Sequence, residues 1–358
     1  MASVTTAERH GLDGLAEDFS RYRRLLGDRN LVYRRLLTEL EALLVQRGDP
    51  HVCAHLARTW RSRGFVAYYE RPLLLQAALR FDALSVGPGH PLAAALRSQS
   101  PDPEAVTSSA VRAALDPERV VLWLALASRR VQTNDVSRSV AWLWPTSLLP
   151  ERPVVLVDVG CSAGLNLIGD RLGQPWTRAD GAPFKLRDPS VLARHGFDPS
   201  PIDAGQEDEA QWLRACIWPG DTARLSRLDG AIAAFRRERP HPALARVSAR
   251  HVVPRLHRIF RDMRADATLL ILQTFVRDYM DAAEHEDYQA QLAQWMAEVP
   301  AGRVLVCELE LADDGADPPA ELVVWPSGHP HQPLARCGYH PSVIHVDPAG
   351  VRALQGLE

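Results

Sequence analysis

The chain holds 358 residues, 46% hydrophobic and 24% charged, enough to bury the core of one large domain or of two ordinary ones. A formal net charge of −3 offers no basic face for nucleic acid, and no apolar run is long enough to span a membrane. Five scattered cysteines without a Cys-x-x-Cys pair argue against a disulfide framework and a structural zinc site; with no charged-then-apolar leader over Met1–Gly14, they point to the cytoplasm.

Residues 15–148 read as helices. Leu36, Leu37, Leu40, Leu43 and Leu44 recur at helical spacing and are closed by Gly48-Asp49-Pro50; Val52, Leu56 and Trp60 continue the pattern. Pro101-Asp102-Pro103-Glu104 and Asp116-Pro117-Glu118 carry helix-start chemistry, with an acid at the cap and proline at the first position. Pro150-Glu151-Arg152-Pro153 then punctuates the chain. The expected division is a helical N-terminal cap domain over 1–148 and an α/β domain over 149–358. Lys185 is the only lysine among 41 basic side chains, so anion recognition must run through arginine.

Beyond the punctuation, strand-like runs at 154–159, 268–274 and 303–309 alternate with helical stretches near 208–216, 221–238 and 284–298. Strands this apolar, separated by helices, imply a parallel sheet covered on both faces. Leu322–Trp325 and Val343–Val346, joined by a loop rich in Gly, Pro and His, read as a closing antiparallel pair. The expected fold class is therefore α/β, a mostly parallel sheet with a C-terminal antiparallel pair behind an all-helical cap.

Residues 153–168 concentrate the chemistry: an apolar strand, a tight turn of small residues and the start of a helix, whose free N–H groups would receive a ligand. A nicotinamide fingerprint starting at Gly160 fails, because Ser162 and Leu165 stand where glycines are required. Gly160-Cys161-Ser162-Ala163-Gly164 spells a serine-hydrolase elbow, and Asp278 and His340 follow in the right order. The preceding residues, however, supply no oxyanion loop, and Asp158 has no hydrolytic role. Asp158, Gly160, Ser162 and Gly164 instead resemble motif I of class I S-adenosylmethionine (SAM) methyltransferases. There, Asp158 would hold the ligand's amino group. A tight turn without a ligand is the plain alternative.

More broadly, the chain resembles an uncharacterised bacterial domain-of-unknown-function family with a methyltransferase-like core. The resemblance rests on Val131-Gln-Thr-Asn134-Asp135-Val-Ser-Arg138, on Asp158-Val-Gly-Cys-Ser-Ala-Gly-Leu-Asn166-Leu, on Leu213-Arg-Ala-Cys-Ile-Trp218-Pro219, on Arg224-Leu-Ser-Arg227-Leu, and on Leu334-Ala and His340-Pro341. It implies a Rossmann-like class I methyltransferase fold with SAM held by Asp158, Gly160, Ser162, Gly164 and Asn166. Asp180 is the candidate for the ribose hydroxyls. The family usually shows Arg-Gly-Asp-Ala after the third strand, whose Asp would hold adenine; here Ala249-Arg250-His251-Val252 stands instead.

Ligands of open α/β sheets lie beyond the carboxyl ends of the strands, which gathers Asp158–Asn166, Glu308, Glu310 and the residues after Gln273. Thr133, Asn134, Asp135 and Arg138 of the cap would close over them. Asn134, Arg138, Thr274 and Arg277 are the expected substrate contacts, and Asp278, Tyr279 and His340 the candidate bases. His329, His331, His340 and His345 lack a carboxylate or cysteine at ligand spacing, so no metal is expected.

The expected activity is SAM-dependent methyl transfer to a small molecule, with neither nucleic acid nor membrane as partner. Alternatives are SAM-independent displacement, elimination or ring closure on an anionic substrate, serine hydrolysis, or a non-catalytic subunit serving a protein partner.

Overall fold

Polar residues that can start a helix recur through the first third of the chain, and several act as caps. Asn30 accepts the amide of Tyr33 before helix Leu31–Glu41, and Asp49 accepts those of His51 and Val52 before Pro50–Thr59. Asp102 caps only a single turn, Pro103–Ala105. The computed structural model describes residues 9–46, 48–132 and 134–356. These form two compact units, one from Asn134–Gly205 with Arg227–Glu358, the other from the described residues within Val4–Thr133 with Gln206–Ser226.

The second unit is helical. Leu36, Leu37, Leu40, Leu43 and Leu44 are all buried, as are Val52, Leu56 and Trp60. Helix Glu70–Val86 runs through its interior against Leu15–Leu26, Val120–Ser128 and Glu207–Ala215. Arg71 is fully buried there and donates from Nε to Asp18 Oδ2 at 2.7 Å. A short antiparallel pairing of Arg9–His10 with Gly64–Phe65 interrupts the region read from sequence as helical throughout.

The first unit is α/β. Strands β1 (Val154–Val159), β2 (Thr177–Arg178), β3 (Val191–Asp198), β4 (Ala243–Arg246), β5 (Thr268–Thr274), β6 (Val304–Leu311), β7 (Ala320–Pro326), β8 (Gln332–Cys337) and β9 (Val343–Val346) form one sheet. Their order is β2-β9-β8-β7-β6-β5-β1-β3-β4. The run β4-β3-β1-β5-β6 is parallel, β6 to β9 are successively antiparallel, and β2 adds in parallel at the far edge. The expected closing pair is thus corrected: β7 and β9 exist, but β8 lies between them and pairs with both. Pro333 and the register shift beside it break the alternation that would have revealed β8.

Side-chain alternation sends Leu156, Leu270, Leu272, Leu305 and Cys307 to one face, under the helix Val140–Leu148. Val155, Val157, Leu269, Ile271, Val304 and Val306 face the other way, toward helices Val252–Asp262 and Ala282–Glu298. No helix among the described residues is long and apolar enough to cross a membrane.

Candidate functional site

Every residue of β1 is buried between β3 and β5, so the chain must leave the sheet sharply at its carboxyl end. It does so with Gly160 and Gly164 at φ of +74° and +67°. A Cβ on Gly160 would lie 2.4 Å from Val276 Cγ2, and one on Gly164 would lie 2.7 Å from Leu244 Cδ2. Both glycines are therefore required by the chain's own packing as well as by φ.

The turn's amides are engaged within the protein. Gly160 and Cys161 donate to Phe197 O at 2.8 and 3.2 Å, and Gly164 donates to Cys161 O at 2.7 Å. Ser162 donates to Asp198 Oδ2 at 2.9 Å, and Ala163 to Asn134 Oδ1 at 3.2 Å. The last of these is the amide an elbow hydrolase would aim at an oxyanion. Asn134 also donates from Nδ2 to Ser162 Oγ at 2.7 Å. The expected helix after the turn is a seven-residue 3-10 stretch, Leu165–Arg171, with non-helical geometry at Ile168, so little dipole accumulates.

What the turn does present is acid. Asp158, 2% exposed, lies at the end of β1 facing the Leu156 side of the sheet, and its Oδ2 has no hydrogen-bond partner among the described residues. Burial raises its carboxyl well above the usual carboxylate range; Asp198 adds to the shift and Arg138 opposes it. Asp198 ends the adjacent strand β3, with Oδ2 on Ser162 N–H and Oδ1 on Ser200 N–H at 2.7 Å. Asn166, whose backbone carbonyl receives the Trp142 indole at 2.9 Å, leaves a buried Oδ1 unpartnered.

Around these acids stands a built polar shell. Arg138 is 6% exposed, donates from Nε to Tyr339 O at 3.3 Å and lies 4.2 Å above the Phe275 ring. Phe275 stacks on Tyr339 at 5.7 Å. Among the described residues, Phe275 and Ser162 are the non-glycine residues with positive φ, 53° and 51°, and they follow the neighbouring strands β5 and β1. Strain of this kind concentrates where a site must be held in one shape. Asp135, buried and bonded through Oδ1 to Ser137, meets His340 Nδ1 through Oδ2 at 2.6 Å.

The residues singled out in the sequence fall into three places. Asn134, Arg138, Asp158, Gly160, Ser162, Gly164, Asn166 and His340 gather around the carboxyl end of β1; buried Thr274 ends β5 on the same side. Asp180 does not join them: it is exposed, paired with Arg178 at 2.7 Å, and follows β2 at the opposite edge from Asp198. Asp278 and Tyr279 lie exposed on the single turn Arg277–Tyr279, while Arg277 binds Asp313 at 3.0 Å. Glu308 and Glu310 alternate with Cys307 and Leu309, so they face the opposite side of the sheet from Asp158. His251 bonds Ser248 Oγ at 2.9 Å just after β4. Thr133 lies outside the described residues. Among those residues, no three of His, Cys, Asp or Glu are placed to hold a metal ion.

Asp198 is the candidate site residue that sequence reasoning missed. Its signal was hidden because β3 reads Val-Leu-Ala-Arg-His-Gly-Phe-Asp, a run that Arg194, His195 and Gly196 make unlike a buried strand.

The chain matches a bacterial family described as "Uncharacterized protein conserved in bacteria (DUF2332)" over residues 32–345, and it belongs to that family. No curated protein matches it.

Proposed function

We propose that this member of the family is a methyltransferase-like enzyme that takes SAM at the carboxyl ends of β1 and β3 and acts on a small molecule. One observation carries the reading: two buried acids, Asp158 and Asp198, end adjacent parallel strands, and Asp158 Oδ2 has no partner among the described residues. The strand order supports it. The chain reverses direction across the sheet between β1 and β5, the position where open α/β sheets take ligands, and antiparallel β7 borders β6 as in class I methyltransferases.

The donor set suits a cationic nucleoside. Two acids face one guanidinium, and both orphaned atoms, Asp158 Oδ2 and Asn166 Oδ1, are acceptors awaiting an N–H. Asp158 would hold the ammonium group, and Asp198 would meet the ribose hydroxyls. The cofactor would supply an electrophilic methyl group. Asp135 Oδ2, 2.6 Å from His340 Nδ1, would hold the imidazole with Nε2 turned to the acceptor's proton. Arg138, pinned by Tyr339 O and Phe275, would orient an anionic part of the substrate.

Calorimetric titration of SAM and S-adenosylhomocysteine into the purified chain tests this. Saturable binding is expected, weakened about 10–100-fold in Asp158→Asn through loss of one charge-assisted hydrogen bond. Absence of heat at millimolar ligand would overturn it.

A second reading, the same scaffold doing SAM-independent chemistry, is favoured by Val276 packed on Gly160 and by His251 in place of the expected acid. It fails if Asp158→Ala loses SAM binding and activity together.

A further inference from the structure

The opposite face of the sheet carries a second polar site. A cleft of about 450 Å3 opens beside the carboxyl ends of β5 and β6, a volume suited to a small molecule. Sheet register builds its floor: Gln273 on β5 pairs with Glu308 on β6, and one step further Glu310 pairs with Glu321 on β7, itself opposite Arg336 on β8.

The charges do not balance. Five carboxylates line the cleft, against two guanidinium groups and the His285 imidazole. Both guanidinium groups are already engaged. Arg277 holds Asp313 at 3.0 Å and donates to Leu311 O at 2.8 Å. Arg336 forks onto Asp314 at 3.0 and 2.6 Å and reaches Glu321 at 3.5 Å. Glu308 and Glu310 are left without a cationic partner.

The hydrogen bonds tell the same story independently. Gln273, only 1% exposed, lines the cleft and donates from Nε2 to Glu310 Oε1 at 3.3 Å, while its own Oε1 has no partner among the described residues. Glu308 Oε1 is likewise buried and unpartnered. The fully buried Tyr288 hydroxyl, close enough to feel both glutamates, has none either. A buried acceptor without a donor costs about 1–3 kcal/mol, and two such acceptors on one cleft wall ask for a ligand with several N–H groups. No metal cluster is available among the described residues, since no three ligating side chains converge.

We propose that this cleft binds a small organic cation, an alkylammonium, through Glu308, Glu310 and Gln273. The ammonium places its N–H donors on Glu308 Oε1 and Gln273 Oε1, and its charge offsets the two glutamates. The inference does not rest on SAM, and its probe contains no nucleoside.

The test is calorimetry on the full chain with 1,4-diaminobutane, with 1,4-butanediol as the uncharged control. Saturable diamine binding is expected, with none for the diol, and Glu308→Gln should weaken it at least tenfold while the circular dichroism spectrum stays unchanged. Glu310→Gln should do the same if it folds; because Glu310 also holds backbone amides, Glu308→Gln is the deciding variant. An exposed acid elsewhere, Asp266, provides a second control, and Asp266→Asn should bind as the wild type does. Three outcomes overturn the proposal: no saturable heat at about 10 mM diamine, equal binding of the diol, or undiminished binding by Glu308→Gln.

Discussion

A buried carboxylate without a partner lowers the stability of the fold that contains it, and Asp158 is such a group. Its folded pKa is raised, so its favourable contribution is present at low pH and is lost as pH climbs above the ordinary value of 3.8. Asp158→Asn should therefore stabilise the protein by about 1–3 kcal/mol at pH 8 in urea unfolding, with the gain fading toward pH 4. The same variant should bind SAM about 10–100-fold more weakly. A protein that gains stability while its ligand affinity falls is the signature of a group retained for function. Glu310 behaves similarly. Burial pushes its carboxyl from 4.5 to about 7, despite the amides of Val276 and Arg277 and the Gln273 amide it accepts. The folded form binds the extra proton in that window, so unfolding free energy should fall as pH rises from 4.5 to 7. Glu310→Gln should remove up to about 3 kcal/mol of that slope.

At the scale of elements, the turn after β1 is a packed joint. Gly160→Ala adds a methyl group against Val276 and forces a side chain to positive φ. A cost of about 2–4 kcal/mol is expected in denaturant titration. Val276→Ala in the same chain should recover the steric part and leave the backbone part, a non-additivity that a double-mutant cycle reads directly. The edge of β3 is set by charge instead: Arg194 forks onto Asp170 at 2.9 and 2.7 Å with both side chains buried. Asp170→Ala should cost about 3–5 kcal/mol by removing both forked bonds from a buried guanidinium, which keeps only Glu238 Oε1, at 3.8 Å, as an ion partner among the described residues.

The same residues explain what the sequence could disclose. The apolar run before Asp158 and the small residues after it announce β1 and its turn, because burial on both faces leaves no room for polar interruption. Arg194 in β3 and Pro333 in β8 are tertiary compromises, neutralised by Asp170 and by a bulge, and neither partner is visible in local periodicity. Asp198 and the register that sets Glu308 beside Gln273 depend on strand pairing across long stretches of chain.

For the whole molecule, the helical unit draws on two separate stretches of sequence. Trp212, from the inserted segment, is fully buried, meets Phe81 edge to face with ring centroids 5.6 Å apart and donates its indole N–H to Arg130 O at 3.0 Å. Residues 149–358 produced alone would expose that indole, and aggregation is expected; co-expression with 1–148 should restore a soluble product, as size-exclusion chromatography would show. A further consequence follows from Glu310. Its carboxylate faces the cleft, yet it also holds the amide of Val276, whose side chain fills the space over Gly160, two residues after Asp158. The central sheet is thereby spanned by a short lever. If both ligands bind, linkage requires that the diamine change nucleoside affinity by the same factor as the nucleoside changes that of the diamine. Communication between the two faces would then run past Glu310 and Val276, and Glu310→Gln should reduce that shared factor together with the affinity for the diamine.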